Sequence, residues 1–325
     1  MIRILLFAAS LLFAPLGHAA YTSMYVFGDS LSDNGNAYAL SGGSWPASPP
    51  YAGRFSDGPT AAERLAGRLG IDLQPSAAGG TNFAVGGATT GTQNYNYEIS
   101  SPQPLPPALG QSGTLAQVAG FVGGAPAFDP ASSLFMLWAA PNDFFLALGT
   151  GTDLAAAART AVSNLITSIG LLTGAGATDI LVPNMPNLSR TPFGLSLNLQ
   201  QQAALDVLSR SFNEALAGTL DLARSGSVPG IPGGLRLMSF DTAAAFDEII
   251  SDPGAFGFTD VTTPCIFSPA GCEGALFLDG VHPTTTGHRL LADRFLAALA
   301  VPEPPTAALL LAALAGVLLV RRRSQ

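Results

Sequence analysis

Three side chains in this 325-residue sequence can form an acyl-transfer apparatus if folding brings them together. Ser30 sits in FGDSLSDNGN (27–36), directly behind the short apolar run 24–27. A serine hydroxyl is a weak nucleophile and needs a base within hydrogen-bond reach. Beyond the first 20 residues the chain holds two histidines, His282 and His288. His282 lies in DGVHP (279–283), three residues after Asp279. In a tight turn that carboxylate can accept one imidazole N–H and leave the other nitrogen free to take the Ser30 proton. His288 falls inside the following helix-like run and reads as a structural or surface residue. Taken alone, Gly-Asp-Ser is usually an ordinary turn and Asp-x-x-His a surface coincidence; the weight lies in finding both.

A tetrahedral acyl-transfer intermediate also needs donors for its oxygen. TNFAVGGATT (81–90) offers Gly87, or its neighbour Gly86, just behind an apolar run. WAAPNDFF (138–145) offers the side-chain amide of Asn142. A helix beginning at Ser30 would aim backbone N–H groups at the same negative charge, with Gly28 allowing a sharp turn before it. Asp33, Gly35 and Asn36 read as loop-shaping hydrogen-bonders, and Asp29 and Asp143 as scaffolding for their loops.

These residues need a frame that gathers distant strand ends. Apolar runs at 24–27, 81–85, 132–140, 178–184 and 235–241 read as strands. Helix-like segments at 60–70, 153–174 and 199–226 lie between them. Leu290, Leu291, Phe295, Leu296 and Leu299 give a final helix its apolar stripe, with Pro283 at its first position. Such alternation predicts an α/β domain with a mostly parallel sheet and helices on both faces. In sheets of that kind ligands bind beyond the carboxyl ends of the strands. Residues 88–130, rich in Gly, Pro, Gln, Asn and Tyr, read as a long surface excursion near the substrate.

Composition removes several alternatives. The sequence contains no lysine, so all 14 of its basic residues are arginine. Walker-A loops, Schiff-base lysines and Ser-Lys dyads are therefore excluded. A net charge of −8 opposes binding to nucleic acid. With 48% hydrophobic residues there is material for one sizeable core.

Residues 1–20 combine an arginine, an apolar run and small residues at Ala19 and Ala20, the pattern of a secretory signal peptide. Cys265 and Cys272 are the only cysteines and bracket a short loop containing Pro and Gly. In an exported chain they would form a disulfide. Two free thiols or half of a metal site are the other readings, and three histidines in all serve the last poorly. Residues 301–325 place a 15-residue apolar stretch between a proline-rich hinge and three arginines. This is short for a permanent membrane span. Pro302-Glu303-Pro304, the apolar run and the arginines resemble a PEP-CTERM sorting signal. That resemblance implies an exosortase-type processing partner, with a simple membrane anchor as the alternative.

FGDSLSDNGN, NFAVGGA, PND and DGVHP occur in the order and rough spacing of the blocks of GDSL-type, or SGNH, hydrolases. GRFSDGPTAAERLA (53–66) is similar to the segment behind the first block in the lipase and acyltransferase branch. The resemblance covers roughly residues 24–299. It implies a flavodoxin-like three-layer α/β/α sandwich, with Ser30 as nucleophile and Asp279 and His282 completing a triad. It further implies oxyanion donors on the Ser30 N–H, Gly87 and Asn142, and neither cofactor nor metal. One departure stands out: where the family usually has Gly two residues before the block's Asn, this chain has Ala140, then Pro141. A methyl there would shift the loop or narrow the site.

The expectation is therefore a signal peptide (1–20), a hydrolase domain (21–300) and a sorting tail (301–325). The protein would be an exported serine esterase or lipase at the cell surface or in the secreted matrix. Its substrates would be carboxylate esters of lipids or acylated polysaccharides. Transfer to another alcohol is a close variant, and a surface or matrix binding protein without chemistry is the reading of a different class.

Overall fold

The computed structural model describes residues 21–100, 105–269 and 271–300. The signal-peptide and sorting-tail readings, on 1–20 and 301–325, lie outside them. Four strands, β1 (Ser23–Gly28), β2 (Ser133–Trp138), β3 (Asp179–Pro183) and β4 (Arg236–Phe240), form one parallel sheet in the order β1-β2-β3-β4. All six residues of β2 are buried, which explains its unbroken apolar sequence.

Side-chain alternation divides the core in two. Tyr25, Phe27, Phe135, Leu137, Ile180, Val182 and Leu237 face one layer. Met24, Val26, Leu134, Met136, Trp138, Leu181 and Met238 face the other. Helices α3 (Thr114–Gly123), α5 (Leu154–Gly174) and α7 (Leu199–Arg224) cover the first face. The second is covered by α2 (Ala61–Arg68), α8 (Thr242–Ser251) and α9 (Thr285–Ala300), α2 packing on α9. The result is the expected α/β/α sandwich. Helix starts follow local chemistry: Thr60 with Glu63 and Asn198 with Gln201 form capping boxes on α2 and α7, and Asp153 caps α5. Helix α4 (Pro141–Thr150) and the short α6 (Pro192–Leu195) contribute residues to the site, and a second short helix, α1 (Asn36–Leu40), follows the turn behind β1.

Four local expectations are corrected. Residues 81–85 run beside β1, with bonds from Val26 N–H to Thr81 O and from Phe83 N–H to Val26 O. They form only isolated bridges rather than a strand. The next ladder donor, the Gly28 N–H, goes to Gln117 Oε1 instead of Phe83 O, so side-chain bonding interrupts the ladder even though the Val85 N–H still reaches Gly28 O. No helix begins at Ser30; residues 29–33 form a turn closed on Asp29 O, and α1 starts only at Asn36. Pro283 precedes rather than opens α9, because Thr284 is the capping residue: its hydroxyl accepts the Gly287 N–H and its carbonyl the His288 N–H. Residues 88–130 are more than a surface excursion: α3 lies within them and buries Val118 and Phe121.

Candidate active site

Ser30 follows the carboxyl end of β1 after a turn that only glycine permits. A Cβ at Gly28 would lie 2.1 Å from Trp138 O. The Gln117 side chain of α3 grips both backbone groups of Gly28, at 2.9 and 2.8 Å. The turn beyond is shaped by Asp33, whose carboxylate accepts the N–H groups of Gly35, Asn36, Ala37 and Gly86 at 2.7–3.1 Å. One buried side chain thus ties the Ser30 turn to the loop that carries Gly87.

The DGVHP stretch reaches Ser30 from the opposite end of the chain. It is fastened by Leu278 N–H to His282 O, by Phe193 N–H to Gly280 O and by the Ser56 hydroxyl to Pro283 O. Asp279 Oδ1 accepts the Val281 and His282 N–H groups at 2.9 and 2.8 Å. His282 Nδ1 lies 2.7 Å from Asp279 Oδ2, and His282 Nε2 lies 2.7 Å from Ser30 Oγ. The Phe55 ring packs 5.4 Å from the imidazole.

Charge within this cluster is arranged unequally. Burial works against ionised Asp279, but the His282 charge and hydrogen bond and two backbone N–H groups hold its carboxyl well below the usual range. Burial likewise opposes protonation of His282, and the neighbouring Asp279, aided by Asp29, outweighs it and raises the imidazole above its ordinary value. Asp29 is buried with one oxygen unpartnered, and burial pushes its carboxyl up to about 7. Asp143, pushed up to about 6 by burial, holds the Thr90 N–H and hydroxyl and so anchors the adjoining loop.

Asn142 stands on the first turn of α4, with Pro141 ahead of it. Its amide gives one hydrogen to Ala88 O at 3.0 Å, leaving the other for the pocket it lines. Ala140 has extended backbone (φ 168) and its methyl is buried in the core layer, outside the pocket lining, so it does not narrow the site. Gly87 adopts φ 78, and a Cβ there would lie 2.4 Å from both Asn94 and Asn96. Among the described residues the N–H groups of Ser30 and Gly87 donate to no protein atom. Gly86, the other glycine considered, spends its N–H on Asp33.

Ser30, His282 and Asn142 open into a cavity of about 380 Å³ walled by Trp45, Tyr51, Phe55, Tyr95, Phe145 and Phe193. Sequence reasoning missed Tyr51 and Gln117, which lie outside the motif blocks, and Phe55, which lies within the 53–66 segment but carries no reactive group to single it out. His288 is fully buried; its Nδ1 accepts the Ala61 N–H at 3.2 Å, which makes it a structural partner of α2. Cys265 and Cys272 are joined in a disulfide. Among the described residues no three His, Cys, Asp or Glu side chains gather as a metal site requires.

A parallel α/β/α sandwich with serine, histidine and aspartate in hydrogen-bond sequence beyond its strand ends has the layout of an SGNH-type hydrolase. The family model for GDSL-like Lipase/Acylhydrolase matches residues 24–295, and the chain belongs to that family. It is 28% identical to a phosphatidylcholine-sterol acyltransferase of Aeromonas hydrophila, covering 84% of this chain and 89% of that one. It is 30% identical to esterase EstA of Pseudomonas aeruginosa over 90% of this chain, which spans about half (49%) of that relative's length. A solved structure of a lipolytic G-D-S-L family member from Veillonella parvula covers 85% of this chain and 97% of its own, at 14% identity and a TM-score of 0.45. The protein is a carboxylic ester hydrolase of the GDSL family.

Proposed function

We propose that Ser30 is the nucleophile of an exported esterase that works through an acyl-enzyme. The observation that carries this reading is the continuous path from Ser30 Oγ through His282 to Asp279, with 2.7 Å at each step. His282 Nε2 takes the hydroxyl proton as Oγ forms a bond to the ester carbonyl carbon. The charge that develops on the carbonyl oxygen is met by the Ser30 and Gly87 N–H groups and the Asn142 amide. Collapse of that intermediate breaks the ester C–O bond, and His282 returns the proton to the departing alkoxide. Water then repeats the sequence on the acyl-enzyme and releases the acid, while Asp279 keeps the imidazole oriented throughout.

The mixed aromatic wall of the cavity suits an apolar acyl group, which supports lipid or acylated polysaccharide esters as substrates. Likeness to the Aeromonas acyltransferase supports a variant in which an alcohol replaces water in the second half-reaction. Export is supported by the composition of residues 1–20 and agrees with the Cys265–Cys272 disulfide. An exosortase-type partner is supported only by the pattern of residues 301–325. A surface or matrix binding protein without chemistry would suit the pattern of residues 301–325, but Ala140, with its methyl buried in the core layer, lends that reading no support.

The test is hydrolysis of p-nitrophenyl esters from acetyl to long-chain, with native protein and Ser30→Ala, beside labelling by a fluorophosphonate. Turnover and labelling are expected to vanish together in the variant. Turnover that survives it overturns the nucleophile assignment. Added alcohols that divert product from acid to ester would identify the transferase variant.

A further inference from the structure

Asp279 receives four hydrogen bonds, and one comes from a distant loop. Its Oδ1 takes two backbone N–H groups, while Oδ2 is shared by His282 Nδ1 and the Tyr51 hydroxyl, each at 2.7 Å. Tyr51 lies 228 residues from Asp279 in sequence, on the segment that also supplies Trp45 and Phe55 to the cavity wall. Phe55 packs 4.8 Å from Trp45, 6.2 Å from Tyr51 and 5.4 Å from the His282 ring. The other side of Tyr51 rests against the cluster of Cys265, Ala275 and Leu278.

We propose that Tyr51 is a positioning residue for the Ser30–His282–Asp279 relay, its hydroxyl holding Asp279 Oδ2 against the imidazole and taking up part of the carboxylate's charge. This inference rests on the relay reading above. Burial, reinforced by the Asp279 charge, raises the phenol well above its ordinary value, so Tyr51 remains a donor wherever Asp279 is ionised. A carboxylate oxygen has two lone pairs, and here both have a donor. Removing the phenol would leave more negative charge on Oδ2 for the imidazolium and raise the proton affinity of His282. The other ionisable groups acting on His282 are Asp29 in the turn behind β1 and Asp279 itself, and a Tyr51 substitution alters neither. His288, the remaining imidazole, is held neutral by burial.

Tyr51→Phe keeps the aromatic wall and removes only the hydroxyl. The readout is the NMR titration of the His282 ring, assigned by its loss in His282→Ala. Its midpoint is expected to rise by about half a pH unit or more. With ester substrate, kcat should fall about five-fold, the size of one ordinary hydrogen bond, with KM near native. Ring-fluorinated tyrosine, a stronger donor, should move the midpoint downward, which supplies a second reading if Tyr51→Phe does not fold. Trp45→Leu disturbs the same wall without touching Asp279 and should change KM while leaving the midpoint in place. A midpoint unmoved by either change at Tyr51, or moved as far by Trp45→Leu, overturns the proposal. The titration needs no turnover, so absence of ester hydrolysis in native protein would sink the esterase mechanism separately.

Discussion

Ser30 Oγ and His282 Nε2 meet at 2.7 Å although 252 residues separate them. The contact is possible because one partner hangs from the carboxyl end of β1 and the other from a loop braced against Ser56 and Phe193. Those braces fix the backbone on both sides of His282, so the ring is held before substrate arrives. Such preorganisation is worth most where charge develops during the reaction.

The proposed base should set the acid limb of activity. His282 must be neutral to accept the Ser30 proton, and Asp279 and Asp29 raise its proton affinity against the pull of burial. Ester hydrolysis is therefore expected to rise with pH through a midpoint above the histidine reference of about 6.5. Asp29, itself pushed up to about 7, loses its proton in the same range and strengthens the effect. Asp29→Asn should lower the midpoint in a kcat/KM–pH profile. A profile flat between pH 5 and 8 would remove histidine as the base.

Asn142 should matter to rate far more than to substrate affinity. Its second amide hydrogen is the side-chain donor offered to a developing oxyanion. Asn142→Ala is expected to reduce kcat by about 10²–10³ with KM little changed. Loss of its bond to Ala88 O adds a destabilisation of about 1 kcal/mol, readable in a thermal melt. A kcat within a few-fold of native would show that the oxygen is held elsewhere.

Much of this site was legible because each chemical group sits in a short block with its own turn chemistry. Asp279 and His282 are three residues apart, and an Asx-type turn is enough to join them. Tyr51 carried no comparable signal: its role arises only from a contact 228 residues away. The run 81–85 looked like a strand by its apolar residues, and the distant Gln117 side chain decided otherwise by taking the Gly28 N–H that would have continued the ladder. Helix α3 was missed because TLAQVAGFVG contains two glycines and no side-chain cap, and its formation depends on packing against α5 and β1.

His288 should contribute a penalty to the fold in acid. Buried and uncharged, it is held down to about 3, against about 6.5 in the unfolded chain. Between those values the unfolded state binds a proton that the folded state refuses. The contribution of His288 to stability is therefore constant above pH 6.5 and falls by about 1.4 kcal/mol per unit as pH drops toward 3. Asp29 and Asp143 act in the opposite direction over part of that range, since their folded values lie above the unfolded ones. His288→Asn, which can still accept the Ala61 N–H, should remove this contribution, so its denaturant stability should gain on that of native protein by about 1.4 kcal/mol per unit as pH drops from 6.5 to 4. A difference that does not change with pH would mean that the imidazole is already charged in the fold.

The disulfide should support the site as well as the fold. Cys265 and Cys272 close an eight-residue loop, a sequence separation of 7, whose removal is expected to cost about 2 kcal/mol. The same loop bonds its Cys265 and Ile266 N–H groups to Phe277 O and Leu278 O, the two residues that lead into Asp279. It also packs against Tyr51, the second donor to Asp279 Oδ2. Loosening it therefore acts on both neighbours of the proposed acid. Native protein should show no titratable thiol until reduced. The Cys265→Ala/Cys272→Ala variant should unfold at lower denaturant and lose kcat at temperatures where its far-UV spectrum is still native. Full kcat up to the unfolding transition would confine the bridge to global stability and separate it from the geometry of Asp279.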